Sequence, residues 1–208
     1  MSEDALARVL DDARVWRAGR QARHWPTLSS GHPELDALLP GGGWPAARLT
    51  EIAVARWGCG ELALLLPLLA RLSSDRDGAT GHWLAWLAPP FLPYAPALAA
   101  AGVEPARLLV VRTRKDDETL WAAEQALQSG ACRLVLAWVR HADGHSLRRL
   151  QLGAEAHQVP VVLFRPPAAL VTPSPAPLRL GLDGGCLQLL KHRGGGRRSL
   201  SLAFLHGR

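Results

Sequence analysis

The feature that most constrains this chain is a regular alternation of short apolar runs with helical patterns between positions 48 and 164. The run 133–139 (RLVLAWV) is almost wholly apolar, and strands of this kind are buried on both faces of a sheet. Strands that alternate with helices of this length form βαβ units, so the sequence predicts an α/β protein with a mostly parallel sheet between two layers of helices. The predicted strands are 48–54, 82–87, 107–111, 133–139 and 160–164, and the predicted helices are 61–72, 94–101, 116–128 and 146–157.

Prolines and glycines punctuate this pattern. Pro67 is predicted to kink its helix, because proline cannot donate an intrahelical hydrogen bond. The proline-rich stretch 166–177 is predicted to be a loop. Three short β segments follow it, with the hairpin signal Asp183-Gly184-Gly185 between the first two. We expect these segments, 178–182, 186–190 and 199–205, to form an antiparallel extension at the sheet edge, over about 178–208.

The first 25 residues have a different character. Ser2 can cap a helix that runs to residue 18, and the acidic residues after it favour the first helical turn. An Arg-, Gly- and His-rich linker follows, so residues 1–25 are predicted to be a helix with a linker, and residues 26–208 a core domain. The helix packs either on the chain's own core or on another subunit, and it is our candidate for self-association. Its apolar stripe consists of Leu6, Val9, Leu10, Ala13 and Trp16.

Composition points to a reducing compartment without naming a partner. The cysteines, Cys59, Cys132 and Cys186, are odd in number and form no CxxC pair, unlike a disulfide framework. The acidic N-terminus is unlike a signal peptide, and no apolar run approaches the ~18 residues that span a bilayer, so we expect a cytoplasmic protein. The net charge of +6 is mostly arginine, and it fits a nucleic acid, an acidic protein partner or a GC-rich genome equally well.

The segment 29–52 carries a first resemblance to a known family. Gly41-Gly42-Gly43 follows Leu35 and Leu38 and leads into a strand, and the glycines permit a tight turn. This order is similar to the entry of a RecA-family core, where a glycine-rich turn precedes the phosphate loop. The similarity continues over residues 25–205. The resemblance implies a RecA-like three-layer core with Leu35 and Leu38 packed under the sheet.

The phosphate-loop motif itself is degenerate. The motif is G-x-x-x-x-G-K-[S/T], in which the lysine contacts the terminal phosphates and the hydroxyl holds Mg²⁺. Glu61 stands in place of the lysine and Leu62 in place of the hydroxyl residue, so the charge is reversed. We therefore predict a glycine turn capped by its own acid rather than a nucleotide site. The degenerate loop comprises Ala55, Gly58, Gly60, Glu61 and Leu62.

The acids of an ATPase are also missing. Trp138 follows the apolar run 134–137, where a RecA-like enzyme has a metal-binding Asp, and the segment 88–91 (APPF) has no catalytic carboxylate. The sequence therefore favours a protein without ATPase activity or cofactor; an atypical RecA-like ATPase is the alternative.

Other features suggest binding surfaces. Segments 140–144 and 166–177 stand where RecA-like proteins have two DNA-binding loops, but neither is basic inside, which disfavours DNA binding in that manner and leaves other manners open. The apolar residues of 91–96 and most tryptophans are expected in the core, whereas Trp44 and Trp57, in glycine-rich loops, are candidates for exposed anchors. His141 and His145 form either a zinc pair or two loop histidines, and no further ligand is visible.

The one dense basic cluster spans residues 191–198, between two predicted strands. It is either a partner contact or a solvated hairpin tip. Its cations are Lys191, Arg193, Arg197 and Arg198, with His192 between them.

Several short segments resemble the ImuA family: 41–45 (GGGWP), 57–62 (WGCGEL), 88–102 (APPFLPYAPALAAAG), 129–132 (SGAC) and 191–195 (KHRGG). The resemblance implies a non-catalytic adaptor of damage-induced (SOS) translesion DNA synthesis. It implies contact with an ImuB-type, polymerase-like protein, with RecA as a second candidate partner, and partner contacts within about 178–208. The rival is a SulA-like cell-division inhibitor that binds FtsZ; such chains share the degenerate core but end soon after it.

Overall fold

The structure, a computed structural model, describes residues 25–58, 60–74, 82–191 and 198–203. Lys191 is described by its backbone alone. The predicted helix 2–18, with its stripe Leu6, Val9, Leu10, Ala13 and Trp16, lies outside the described residues, as do Arg193 and Arg197.

Strands and helices alternate as the sequence predicts, with bounds that differ from the predicted ones by a few residues. The strands are β1 (Thr27–Leu28), β2 (Trp44–Pro45), β3 (Leu49–Val54), β4 (Trp83–Leu87), β5 (Leu108–Val111), β6 (Cys132–Trp138), β7 (Val161–Arg165), β8 (Leu178–Asp183), β9 (Cys186–Lys191) and β10 (Arg198–Ser201). The helices are α1 (Pro33–Leu38), α2 (Leu66–Ser73), α3 (Ala95–Ala100), α4 (Asp116–Gln128) and α5 (Gly144–His157).

One eight-stranded sheet organises the described part of the chain, in the order β10-β9-β8-β3-β7-β6-β4-β5. The six strands from β8 to β5 in this order are all parallel, while β9 and β10 are antiparallel. The predicted α/β class with a mostly parallel sheet is confirmed.

Helices cover both faces of the sheet because the side chains of each strand alternate between two apolar cores. On one face Ile52 and Trp86 pack with α1, α2 and α3, and this core includes the fully buried Leu35 and the buried Leu38. On the other face Ala85 and Val135 pack with α4 and α5. The predicted three-layer arrangement, with Leu35 and Leu38 under the sheet, is therefore present.

Two predictions of local structure are wrong. Helix α2 begins at Leu66 rather than at position 61, and Pro67 lies in its first turn, where no intrahelical N–H is needed and no kink results. Strand β8 pairs parallel to β3, so only β9 and β10 form the antiparallel extension. The proline-rich connection crosses the sheet before β8 begins, which makes β8 parallel.

A buried ion triad fixes the middle of the sheet. The Glu51 carboxylate on β3 accepts hydrogen bonds from Arg165 Nη1 on β7, at 2.9 Å, and from Arg179 Nε on β8, at 2.6 Å. Arg179 also donates to the carbonyls of Ala169 and Thr172, at 2.7 and 3.0 Å. All three charged side chains are almost fully buried. The triad therefore joins three strands to the proline-rich connection.

Across the described ranges, no helix is both long enough and apolar enough to cross a membrane.

Candidate functional site

The loop after β3 is closed by its own acid. Gly58 and Gly60 have φ angles of +78° and +99°, which glycine adopts without strain. The Gly58 N–H donates to Glu61 Oε1 over 2.9 Å. This is the self-capped glycine turn that the sequence predicts.

Glu61 is buried in this position. The residue is only 3% exposed, and its second oxygen, Oε2, has no hydrogen-bond partner among the described residues. A triphosphate placed in the loop would meet this carboxylate in a partly dry environment, where like charges repel strongly. The Glu61 carboxyl group therefore occupies the space beside the Gly58 N–H.

An aromatic stack occupies the ends of the central strands. Trp138, at the end of β6, is 6% exposed. Its ring stacks on Phe164 with centroids 4.8 Å apart and an interplanar angle of 26°, and it lies 5.9 Å from Trp86. Half-buried Trp57 and Leu62 pack against the same core. Apolar rings thus fill the end of β6, where the resemblance to RecA-family enzymes would place a metal-binding Asp.

A cleft of about 350 Å³ lies beside this stack, at the carboxyl ends of the parallel strands. It opens where β4 and β6 are neighbours. From β4 the chain continues outward to β5, and from β6 it continues inward to β7, so the connections leave in opposite directions. Such a switch point is where open α/β sheets bind ligands.

Four loops line the cleft. They follow β3, β4, β5 and β6, and they contribute aromatic, hydroxyl and cationic side chains. The lining residues are Trp57, Ala88, Pro90, Phe91, Thr113, Arg114, Lys115, Asp116, Thr119, Trp138 and Arg140.

Asp116 holds two of these loops together. Its carboxylate, at the start of α4, accepts hydrogen bonds from the backbone N–H groups of Arg140 and His141, at 3.1 and 2.8 Å. His141 Nδ1 lies 3.2 Å from the same carboxylate. The backbone that carries Arg140 is thereby fixed beside the loop that carries Arg114 and Lys115.

The loop after β6 ends in a helix cap. Asp143 accepts a hydrogen bond of 2.7 Å from the Ser146 N–H, and this bond lowers the pKa of Asp143. His145 lies in the first turn of α5, while His141 contacts Asp116. Among the described residues, no three His, Cys, Asp or Glu side chains form a group that could hold a metal ion.

The structure corrects one predicted anchor and leaves others undescribed. Trp44 is 2% exposed, because the glycine turn folds it into the core, so its prediction as an exposed anchor is wrong. Trp57 is half-buried and lines the cleft. Arg198 lies exposed on the edge strand β10. The other basic residues of the 191–198 cluster lie outside the described side chains.

Several residues expected in the core lie at the surface instead. Phe91, Leu92 and Tyr94, after β4, are 64%, 74% and 70% exposed, and Trp121 on α4 is 61% exposed. Arg114 and Lys115 were not singled out. Their position could have indicated a role in binding, because Arg114 and Lys115 follow the predicted strand 107–111. They therefore lie at the edge of the parallel sheet where the loops converge.

Comparisons with known proteins identify relatives of this chain. No protein-family model matches the chain. The chain is 36% identical over 147 residues to Protein ImuA of Caulobacter vibrioides. The aligned region covers 68% of this chain and 59% of that protein. It is 31% identical over 105 residues to the cell division inhibitor SulA of Edwardsiella piscicida, over 50% of this chain and 60% of that one.

Solved structures include the crystal structure of SulA from Pseudomonas aeruginosa, at 26% sequence identity and a TM-score of 0.46, over 58% of this chain and 98% of that chain. The chain spans about three fifths of the length of the curated relatives it matches.

The fold and the loop define an α/β protein with a mostly parallel sheet, in which the loop after the central strand β3 is capped by its own acid. Within this class, the chain is a homologue of ImuA, and the predicted membership of the ImuA family is confirmed.

Proposed function

We propose that this chain is a non-catalytic adaptor in damage-induced translesion DNA synthesis, which binds an ImuB-type, polymerase-like protein without using a nucleotide. RecA is the second partner that we would test. Homology with ImuA supports the damage-response role. The adaptor role is our inference from the closed loop and the aromatic stack.

One observation carries the proposal: Glu61 occupies the phosphate loop with its own carboxylate, bonded to the Gly58 N–H. A protein that must bind ATP before it can bind a partner would keep these N–H groups free for the phosphates. The Glu61–Gly58 hydrogen bond therefore supports partner binding that does not depend on a nucleotide.

The partner surface proposed here includes the basic cluster 191–198, because Arg198 is exposed on the outermost strand β10. The apolar faces of β8 and β9 are not available for contact, since Leu180 and Leu187 are fully buried. Within 178–208, the contacts that we propose involve the basic cluster 191–198 and the outer edge of β10.

The test is co-purification with an ImuB-type protein. Truncation before Leu178 is unsuitable, because it removes β8 from beside β3 and Arg179 from the buried triad. The informative variant replaces Lys191, Arg193, Arg197 and Arg198 with serine, and Arg148→Ser on the exposed side of α5 is the control. Loss of binding in the cluster variant alone supports the proposal. Unchanged binding in both variants removes this cluster from the interface.

Similarity to SulA favours a second candidate function. In this alternative the chain inhibits cell division by binding FtsZ. No binding to an ImuB-type protein, together with inhibition of FtsZ polymerisation by the purified chain, would establish this alternative. Saturable ATP binding with turnover would instead establish the atypical ATPase.

A further inference from the structure

The cleft at the switch point contains cations without protein partners. Arg114 and Arg140 use their backbone N–H groups, which donate to Glu118 Oε2 and Asp116 Oδ1. Within the part of the chain that the structure describes, the side chains of Arg114, Lys115 and Arg140 form no hydrogen bond or ion pair. Three cationic side chains thus border one cleft with their charges uncompensated by direct contacts.

Four other arginines of the described chain form ion pairs with a carboxylate. Arg48 bonds to Glu155, and Arg149 bonds to Glu124. Arg165 and Arg179 share Glu51. The unpaired cations at the cleft therefore differ from the arginines that stabilise the fold, and they are free to bind an external anion.

The carboxylate inside the cleft does not neutralise these cations by pairing with them. Asp116 is directed at the backbone N–H groups of Arg140 and His141. On the same helical turn, Glu118 is directed at the backbone N–H of Arg114. The acidic side chains stabilise the loops, and the cationic side chains remain available.

An aromatic platform forms another wall. Phe91 is 64% exposed, yet its ring is seated on Gly58, where a Cβ would lie only 2.8 Å from the ring carbon Cε2. A ring that is held in place and still exposed suits stacking against a flat ligand. Trp57, half-buried, lines the cleft beside it.

We propose that this cleft binds single-stranded DNA, with a base stacked on Phe91 and phosphates contacted by Arg114, Lys115 and Arg140. Aromatic platforms beside cations bind single strands without sequence preference. An acidic peptide would use the cations, but it would leave the exposed ring without a flat partner. This inference goes beyond the adaptor function. Partner binding and DNA binding are measured separately, so the failure of one proposal is distinguishable from the failure of the other.

The experiment measures fluorescence anisotropy of a labelled oligothymidylate titrated with the full chain at several salt concentrations. Three phosphate contacts give a slope of log K against log salt of about −2 for a single strand. We expect the triple alanine variant of Arg114, Lys115 and Arg140 to lose most of the affinity and of this slope. Binding that is unchanged in the triple variant, or no binding by the wild-type chain, overturns the proposal.

Matched variants separate stacking from charge. Phe91→Leu should weaken binding at least about fivefold, whereas Phe91→Trp should retain it. Arg140→Ala should weaken binding, and Arg148→Ala, which removes an exposed arginine outside the cleft, should not. Far-ultraviolet circular dichroism of each variant verifies that it is folded. Equal affinities of the Phe91→Leu and wild-type chains would overturn the stacking contact.

Competition identifies the class of ligand. Unlabelled oligothymidylate should displace the probe, while polyglutamate of equal charge and free ATP should not. Displacement by polyglutamate at the same charge concentration would show that the cleft takes an acidic peptide, and displacement by ATP alone would show a mononucleotide site. Either result overturns the proposal of a DNA strand.

Discussion

Glu61 and Gly58 are joined within the loop after β3: the carboxylate Oε1 accepts a 2.9 Å hydrogen bond from the Gly58 N–H. In a phosphate loop, such N–H groups contact the nucleotide. Here a side chain of the same loop takes the place of the phosphate.

Restoring the loop residues should not restore catalysis. In the double variant Glu61→Lys with Leu62→Thr, Trp138 still fills the end of β6, and 88–91 still lacks a carboxylate. We expect no ATP hydrolysis above background in a phosphate-release assay. Glu61→Gln with Leu62→Thr is the control, and circular dichroism verifies folding. A measurable turnover in the lysine variant would contradict this interpretation.

Breaking the buried triad should strongly lower the free energy of unfolding. Glu51→Ala leaves Arg165 and Arg179 as uncompensated buried charges, and breaking such a pair costs about 3–5 kcal/mol. Urea denaturation should therefore show a large loss in the free energy of unfolding. Glu155→Ala removes the half-exposed partner of Arg48 and should cost about 1 kcal/mol or less. Equal losses in the two variants would show that burial does not decide the cost.

Trp138 should matter for stability although it occupies a position associated with catalysis. Trp138→Ala removes a buried ring that stacks on Phe164, and we expect a loss of about 3–5 kcal/mol in the free energy of unfolding. Trp121→Ala, at a site 61% exposed, should change it by only about 0.5 kcal/mol. Thermal or chemical denaturation measures both. A small effect at Trp138 would mean that the stack does not stabilise the sheet.

The thiol of Cys132 should resist alkylation in the folded protein. It is 4% exposed, and burial raises its pKa, so the reactive thiolate is scarce at neutral pH. Cys186 is half-buried and should react with iodoacetamide before Cys132 does. Peptide mass spectrometry after timed labelling distinguishes the two sites. Early labelling of Cys132 would indicate that the region beneath α4 opens in the native state.

The fold could be predicted from the sequence in large part, because strands buried on both faces leave long apolar runs such as 133–139. Helix α4 even has the predicted bounds, Asp116–Gln128. Parallel pairing of β8 was not predictable from its own residues. Pairing direction depends on where the proline-rich connection delivers the chain, and local sequence does not encode that path.

The closed loop was predictable because Glu61 stands at a fixed position in a known motif. The cleft was not predictable, because its cations come from two loops that are far apart in the sequence. The hydrogen bond that joins these loops, from the Arg140 N–H to Asp116, links residues 24 positions apart. Each loop has too few charges to be noticed alone. The burial of Trp44 was missed for a related reason, since a glycine-rich neighbourhood does not reveal which way a side chain faces.

The central claim is that partner binding does not depend on nucleotide. The most direct measurement is the affinity of the full chain for an ImuB-type protein, determined by calorimetry with and without saturating Mg·ATP. We expect the same dissociation constant in both conditions and no heat from titrating Mg·ATP into the chain alone. An affinity that changes when ATP is added, or saturable ATP binding by the chain itself, would contradict the account.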